Sequence, residues 1–327
     1  MRATHRAARR RSRDRRADEG AVAVLVAITL IPLVMGLAVV VDSGRAWAER
    51  AALQNAVEVT TASAAIAWMT TGAVCPAASL AYLTRDDATP DGHTCTTTGT
   101  SKNGTITVRA TDATPLYFAG LIGRPTAALE ASTTARIGSV GSLANVWPIA
   151  LCDHHPSLIA WRDSGYSLTT NYVISMQGST NYCGGNAGGN WGVLDFNGGQ
   201  NSTGETTSWV TSGWPELLDV GDVVAGNPGG VTASMGIQQK VGSTILIPLF
   251  DRATLTGSNT TYRISGFARA TLVAAHLSGA AGSRSLTVRF QTGIVDRESG
   301  SGGIGSGGNY GITSWAICAH DQTGACS

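Results

Sequence analysis

The densest run of side chains able to hold a metal or move a proton is Cys152-Asp153-His154-His155. One ion would need these ligands to converge, yet adjacent residues of an extended chain project to opposite faces. No H-x-x-x-H or H-x-E spacing brings a second ligand back to the same side. The run reads as a polar loop beside a disulfide. A Ser/His/Asp triad lacks its usual marker, since Gly165-Tyr166-Ser167 has no following x-Gly to complete a nucleophile elbow. Asp195 and Asp251 lie beside apolar strand residues, where paired carboxylates could work as acid and base. Turn capping through backbone hydrogen bonds is the competing use of such aspartates. The glycine pairs 184–185 and 188–189 match neither a phosphate loop nor a dinucleotide fingerprint. These residues predict no enzyme, no cofactor and no metal.

Two sets remain. The first is Trp161, Tyr166, Trp191, Trp209 and Trp214, set among Asn and Gly. Aromatic faces in such loops can take a surface glycan or a protein ligand, because they bury large area at low entropic loss. Core packing is the other use of these rings. The second set is Cys75, Cys95, Cys152, Cys183, Cys318 and Cys326. None has C-x-x-C spacing, which argues against a redox dithiol and a zinc ribbon. An even count suits an oxidising compartment. Nearest neighbours would pair as Cys75–Cys95, Cys152–Cys183 and Cys318–Cys326, but six cysteines allow about 15 pairings and spacing does not choose among them.

The compartment follows from the first residues. Ala21 to Val41 is an uncharged apolar run of about 30 Å as a helix, enough to cross a bilayer's hydrocarbon core. Residues 1–20 carry a net charge of +5, and the rest of the chain carries −4. The flank after the run holds little positive charge, so residues 1–20 are expected in the cytoplasm and the head outside, in a single-pass cell-membrane protein. Ala46-Trp47-Ala48 would serve as a signal-peptidase site, but the apolar run exceeds a signal peptide's h-region. An uncleaved signal anchor is the expectation. Charged residues make up only 14% of the 327, below the usual quarter, which excludes a disordered chain and a broadly basic nucleic-acid binder.

These positions need elements to hold them. From Arg45 to Met69 the sequence has neither Gly nor Pro, so the membrane helix should continue outward to Gly72. Alanines would allow close packing there, with Trp47, Leu53, Val57 and Ile66 as larger anchors. Strands are expected at 105–110 and 127–137, with a helical turn within 115–123 between them. Beyond 145, alternating runs at 172–176, 244–250, 261–276 and 285–295 read as an all-β sandwich or barrel. Pro248 marks an edge or a bulge. The expected fold class is α+β: a transmembrane helix continuing into an extracytoplasmic helix, a small α/β pilin-like segment, then a mostly-β, sandwich-like domain. The expected divisions are a cytoplasmic tail 1–20, a span 21–41, a helix with a small α+β region 42–138, a linker 139–146 and a Gly-rich β domain 147–327.

Several of these residues carry a resemblance. The Gly-Ala-Val-Ala-Val entry at 20–24, the exit Asp42-x-Gly44-Arg45, and Leu53-Gln54-Asn55-Ala56 resemble the TadE/TadG-like proteins of Flp-pilus (tight adherence) assembly. So does 105–137, with Pro115, Phe118 and Leu121-Ile122-Gly123 ahead of an Ala/Ser/Thr strand. The likeness spans roughly 15–138 and thins across 145–327, where Pro148-Ile149, Gly189-Asn190-Trp191-Gly192 and Ile247-Pro248-x-Phe250-Asp251 carry it. It implies a non-enzymatic membrane component of a pilus or secretion apparatus, partnered by other pilin-like or Tad proteins, with its head outside. Two departures matter. Leu25 stands where prepilin-like members carry Glu, and no Asp-x-Ser-x-Ser metal motif is present. The alternatives are a tethered or secreted adhesin reading glycans, and a secreted hydrolase.

Overall fold

The computed structural model describes residues 4–84, 90–175, 182–184, 190–198, 202–228, 236–254, 260–279, 283–295, 304–305 and 307–318, with only the backbone for 4–21 and 23. A single helix, α1 (Thr4–Thr71), takes up the first fifth of the chain. Pro32 lies inside it, within the apolar run. The helix is long and apolar enough to cross a membrane, and none of its most apolar stretch is covered by protein. It ends at Gly72, whose φ of +75° favours glycine and whose N–H donates to Trp68 O at 3.0 Å.

Beyond the apolar run, α1 buries one stripe: Leu53, Ala56, Val57, Thr60, Thr61, Ala64, Ala65, Trp68 and Met69. These recur at steps of three and four, the spacing that keeps residues on one helical face. Leu53 and Val57 therefore anchor as expected, whereas Trp47 is 75% exposed and Ile66 42%. At about 100° per residue Ile66 falls opposite the stripe, whereas Trp47 lies along the helix before the stripe's first buried member, Leu53.

The chain forms two compact units. The first comprises residues 1–60, 81–94 and 108–132. It holds α1 up to residue 60, a 3₁₀ turn at Ala81–Thr84, and portions of strands β1 (Gly92–Thr100), β2 (Asn103–Pro115) and β3 (Thr126–Val140). A second 3₁₀ turn, Ala119–Ile122, joins β2 to β3. Both strands expected in this region lie inside β2 and β3.

The second unit comprises residues 61–80, 95–107 and 133–327. Here α2 (Ala77–Leu80) follows α1, and Cys75 is bridged to Cys95 with Cα atoms 6.5 Å apart. Ala64, Ala65, Trp68 and Met69 pack with Ile106, Ala135 and Ile137. The remaining elements are β4 (Ser142–Leu143), β5 (Ile149–Cys152), α3 (Pro156–Asp163), β6 (Tyr172–Ser175), β7 (Trp191–Asp195), α4 (Thr203–Ser212), β8 (Leu218–Asp219) and β9 (Val223–Pro228). They continue with β10 (Thr244–Thr254), β11 (Thr260–His276), β12 (Ser285–Gln291), β13 (Gly293–Ile294), β14 (Ile304–Gly305) and β15 (Ile312–Ile317). One sheet has the order β1-β2-β3-β15-β13, with β14 also on β3.

The larger sheet runs β10-β5-β7-β9-β11-β12-β6, and β10 pairs again with β11. That last pairing closes five strands into a small barrel instead of an open layer of a sandwich. Length makes it possible: β11 has 17 residues and pairs with β9, β10 and β12 along its course. The ladder shifts between Leu249 and Phe250, one residue past Pro248, so the proline sits by a bulge. Strand alternation feeds two cores. Ile149, Leu151, Trp191, Val193, Ile247 and Leu249 join one, while Ala150, Cys152, Leu194, Phe250 and Tyr262 join the other.

Residues 139–146, expected as a linker, are instead built into the second unit. Ser142 pairs with Asp219 and Leu143 with Leu218, and Leu143 and Val146 are fully buried. Gly141 permits a close backbone approach there, since a Cβ on it would press into Gly305.

Candidate functional site

The end of the apolar run is the first place where side chains converge. Asp42, the residue after Val41, is buried, and its carboxylate accepts three backbone N–H groups of the β2–β3 connection. Tyr117 N–H donates at 2.9 Å, Phe118 N–H at 3.0 Å and Ala119 N–H at 2.7 Å. The start of a helical turn leaves N–H groups without local acceptors. Phe118, which precedes the turn Ala119–Ile122, has no side chain that could cap it. Asp42 supplies the missing acceptor from 75 residues away. Burial pushes its carboxyl up, but the three N–H donors and Arg45 outweigh that and hold it below the usual carboxylate range.

One turn along α1, Arg45 lies over the Tyr117 ring at 4.7 Å, donates to Tyr117 Oη and approaches Glu49 at 3.9 Å. The loop closes on itself through Leu116 N–H to Pro125 O at 2.8 Å and Arg124 N–H to Ala119 O at 2.9 Å. Gly123, at φ +85°, turns the chain back. The Asp42-x-Gly44-Arg45 exit thus latches the Pro115–Gly123 block. Both segments stand out in the sequence, but no local signal joins them.

In the second unit, Cys152 and Cys183 are bridged, with Cα atoms 5.7 Å apart. Cys318 is also disulfide-bonded, and Cys326 lies outside the described residues. Asp153 sits against the Cys152–Cys183 bridge and accepts from Tyr310 Oη at 2.8 Å. Cys152, Asp153 and Cys183 bring their ligand atoms within 4.8 Å of one another. Both sulfurs are spent in the bridge, so no thiolate is left to bind an ion. The two histidines diverge. His154 is exposed and contacts Asp153 Oδ1 at 2.5 Å. His155 is buried and caps α3 by accepting from Ser157 N–H at 3.2 Å. Desolvation lowers its pKa from 6.5 to about 4, so it stays neutral.

The aromatic set divides. Trp161 and Trp191 are fully buried core residues, and Trp209 is buried too. Tyr166 is half-buried, packing edge-on to Trp161 with ring centres 5.0 Å apart. Trp214 alone lines an open groove of about 410 Å³, along with Asp195, Phe196, Glu216, Asp222 and Val223. Trp214 stacks on Phe196 at 5.2 Å and meets Trp209 edge-on at 5.5 Å, so its ring is held rigidly. Asp195 is 8% exposed, and among the described residues its Oδ1 has no hydrogen-bond partner. Asp251 is not in this groove; Arg263 holds it through Nε at 2.9 Å and through a second, shorter contact. The two aspartates do not form an acid–base pair.

Comparison of the chain with protein-family models, with curated proteins and with solved structures finds no match in any of the three.

Proposed function

We propose that the chain is a non-enzymatic, membrane-anchored component of a Flp/Tad-type pilus or secretion apparatus. In this reading residues 1–20 face the cytoplasm, 21–41 cross the membrane, and the chain from Asp42 on, with its disulfide-stapled second unit, stands outside. The observation that carries it is α1, which passes unbroken from an Arg-rich start through a bare apolar run into a packed, Ala-rich face. The TadE/TadG-like motifs add the apparatus. Val59 and Ile66 stay exposed opposite the packed stripe, as side chains meeting a neighbouring pilin-like helix would. The small α+β region between Asp42 and 138 is the pilin-like part of this reading. Intact mass of membrane-extracted protein tests the anchor. A mass near 33.6 kDa supports it, whereas a new N-terminus at Glu49 would leave a secreted head without the assembly helix.

A second reading rests on the groove beside Trp214. A rigidly held, partly exposed aromatic beside the carboxylates of Asp195, Glu216 and Asp222 fits a polyhydroxylated ligand, which would make the head an adhesin. A glycan array with Trp214→Ala and Asp195→Asn as controls tests this. Binding lost in both variants supports the adhesin, and an array blank for the wild type removes it.

A further inference from the structure

The latch at Asp42 leaves an apolar tip uncovered. Leu121 is 83% exposed, Ile122 80%, Tyr117 63% and Phe118 41%. From Leu116 to Gly123 the loop has no charged residue. Scattered exposed apolar residues are ordinary, but four within six positions on one short loop form a patch.

We infer that this loop is a second membrane contact, its apolar side chains resting in the interfacial region of the leaflet from which α1 emerges. The inference rests on the membrane-span reading of α1. Its warrant is position. Asp42 directly follows the last residue of the apolar run and bonds to the N–H groups of residues 117–119. Leu121 lies two residues past Ala119, no more than about 7 Å of chain from that clamp. The interfacial layer is of similar depth, about 5–7 Å on each side of the hydrocarbon core. The loop is therefore tied at the level where hydrocarbon gives way to headgroups, and its patch continues the bare apolar surface of α1.

The surrounding residues fit the same layer. Tyr117 and the exposed Trp47 are the aromatic types enriched at membrane interfaces. Trp47 lies about 9 Å along the helix beyond Val41, near that layer's outer edge. Arg45 and Arg124 border the patch, as basic side chains reaching for headgroups do. Two contacts on one leaflet would fix both the tilt and the rotation of α1, which a single helix leaves free.

The test uses the full-length protein in phosphatidylethanolamine/phosphatidylglycerol liposomes containing spin-labelled lipids. The described native cysteines are all bridged, so an introduced cysteine can carry an environment-sensitive fluorophore. Three variants are compared: Val34→Cys inside the run, Ile122→Cys on the loop, and Leu168→Cys, an exposed apolar position of the second unit. The inference expects quenching at 34 by deep labels, at 122 by headgroup-level labels, and at 168 by neither. Quenching at 34 with position 122 as unquenched as 168 overturns the loop contact and leaves the span standing. No quenching at any position overturns the span and the loop together. Inter-chain cross-linking through position 122 without lipid quenching would assign the patch to a second copy, and overturns the inference.

Discussion

Replacing Gly192 by alanine should cost the second unit about 3 kcal/mol. A Cβ there would overlap Oη and Cζ of Tyr262, a ring buried at 1% exposure. Tyr262 has little room to swing aside, because its other edge packs close over the backbone of Gly226, where not even a Cβ would fit. It also meets Phe250 edge-on with centres 4.9 Å apart. Overpacking of a filled core typically costs 1–3 kcal/mol, and a ring clamped on two sides puts this site at roughly the upper end. The same chemical change at Gly204 should have the opposite sign. Gly204 is in the first turn of α4, where a Cβ would meet only Ser202 Oγ at 3.9 Å. Alanine there should gain about 0.5 kcal/mol from reduced backbone entropy. The Gly192–Tyr262 contact can be isolated further. Tyr262 Oη is buried with no partner among the described residues, so Tyr262→Phe alone should be neutral or mildly stabilising and should recover part of the Gly192→Ala loss. Urea unfolding in detergent, followed by tryptophan fluorescence, reads the wild type, the three single variants and the Gly192→Ala/Tyr262→Phe double variant, since Trp161 and Trp191 report the core. A Gly192→Ala midpoint matching wild type, or one matching Gly204→Ala, would refute the barrel packing.

Asp42→Ala should expose the amides of Tyr117, Phe118 and Ala119 to rapid hydrogen exchange while leaving second-unit peptides protected; unchanged protection in 116–123 would remove the latch. His155 has a pKa of about 4 in the folded chain against an ordinary 6.5, so protons favour the unfolded state, and stability should fall as pH drops through that window. Allowing for partial solvent screening the loss is roughly 2 kcal/mol, and it should shrink in His155→Gln, as urea midpoints at pH 7 and pH 4.5 would show. Removing the Cys152–Cys183 bridge by a double alanine substitution releases a loop of 31 residues and should cost about 3–4 kcal/mol, read by the same unfolding assay under non-reducing conditions.

Where physics is local, the sequence was readable. The strands expected at 244–250 and 261–276 fall within β10 and β11, and the helix was correctly ended at Gly72. Alternation and helix-stop residues act over a few positions, which is why they showed. Two features of the candidate sites did not. Asp42 finds its partners 75 to 77 residues away, and nothing near it reveals which N–H groups lack acceptors. The tryptophans have the same composition around them whether they line a groove or fill a core; burial separated Trp214 from Trp161, Trp191 and Trp209. Alternation allowed a sandwich or a barrel and could not choose between them, because a pairing between β10 and β11 looks like any hairpin until β5, β7 and β9 complete the ring.

In the proposed topology α1 holds the chain in the membrane and the second unit stands outside the cytoplasm. Labelling intact cells with a membrane-impermeant thiol reagent tests it directly, using a cysteine at Thr170, an exposed position of the second unit, and another at Ala8. The account expects labelling at 170 in intact cells, with 8 reached only after the membrane is opened. Labelling at 8 with protection at 170 would contradict the orientation, and equal labelling of both in a soluble fraction would contradict the anchor itself.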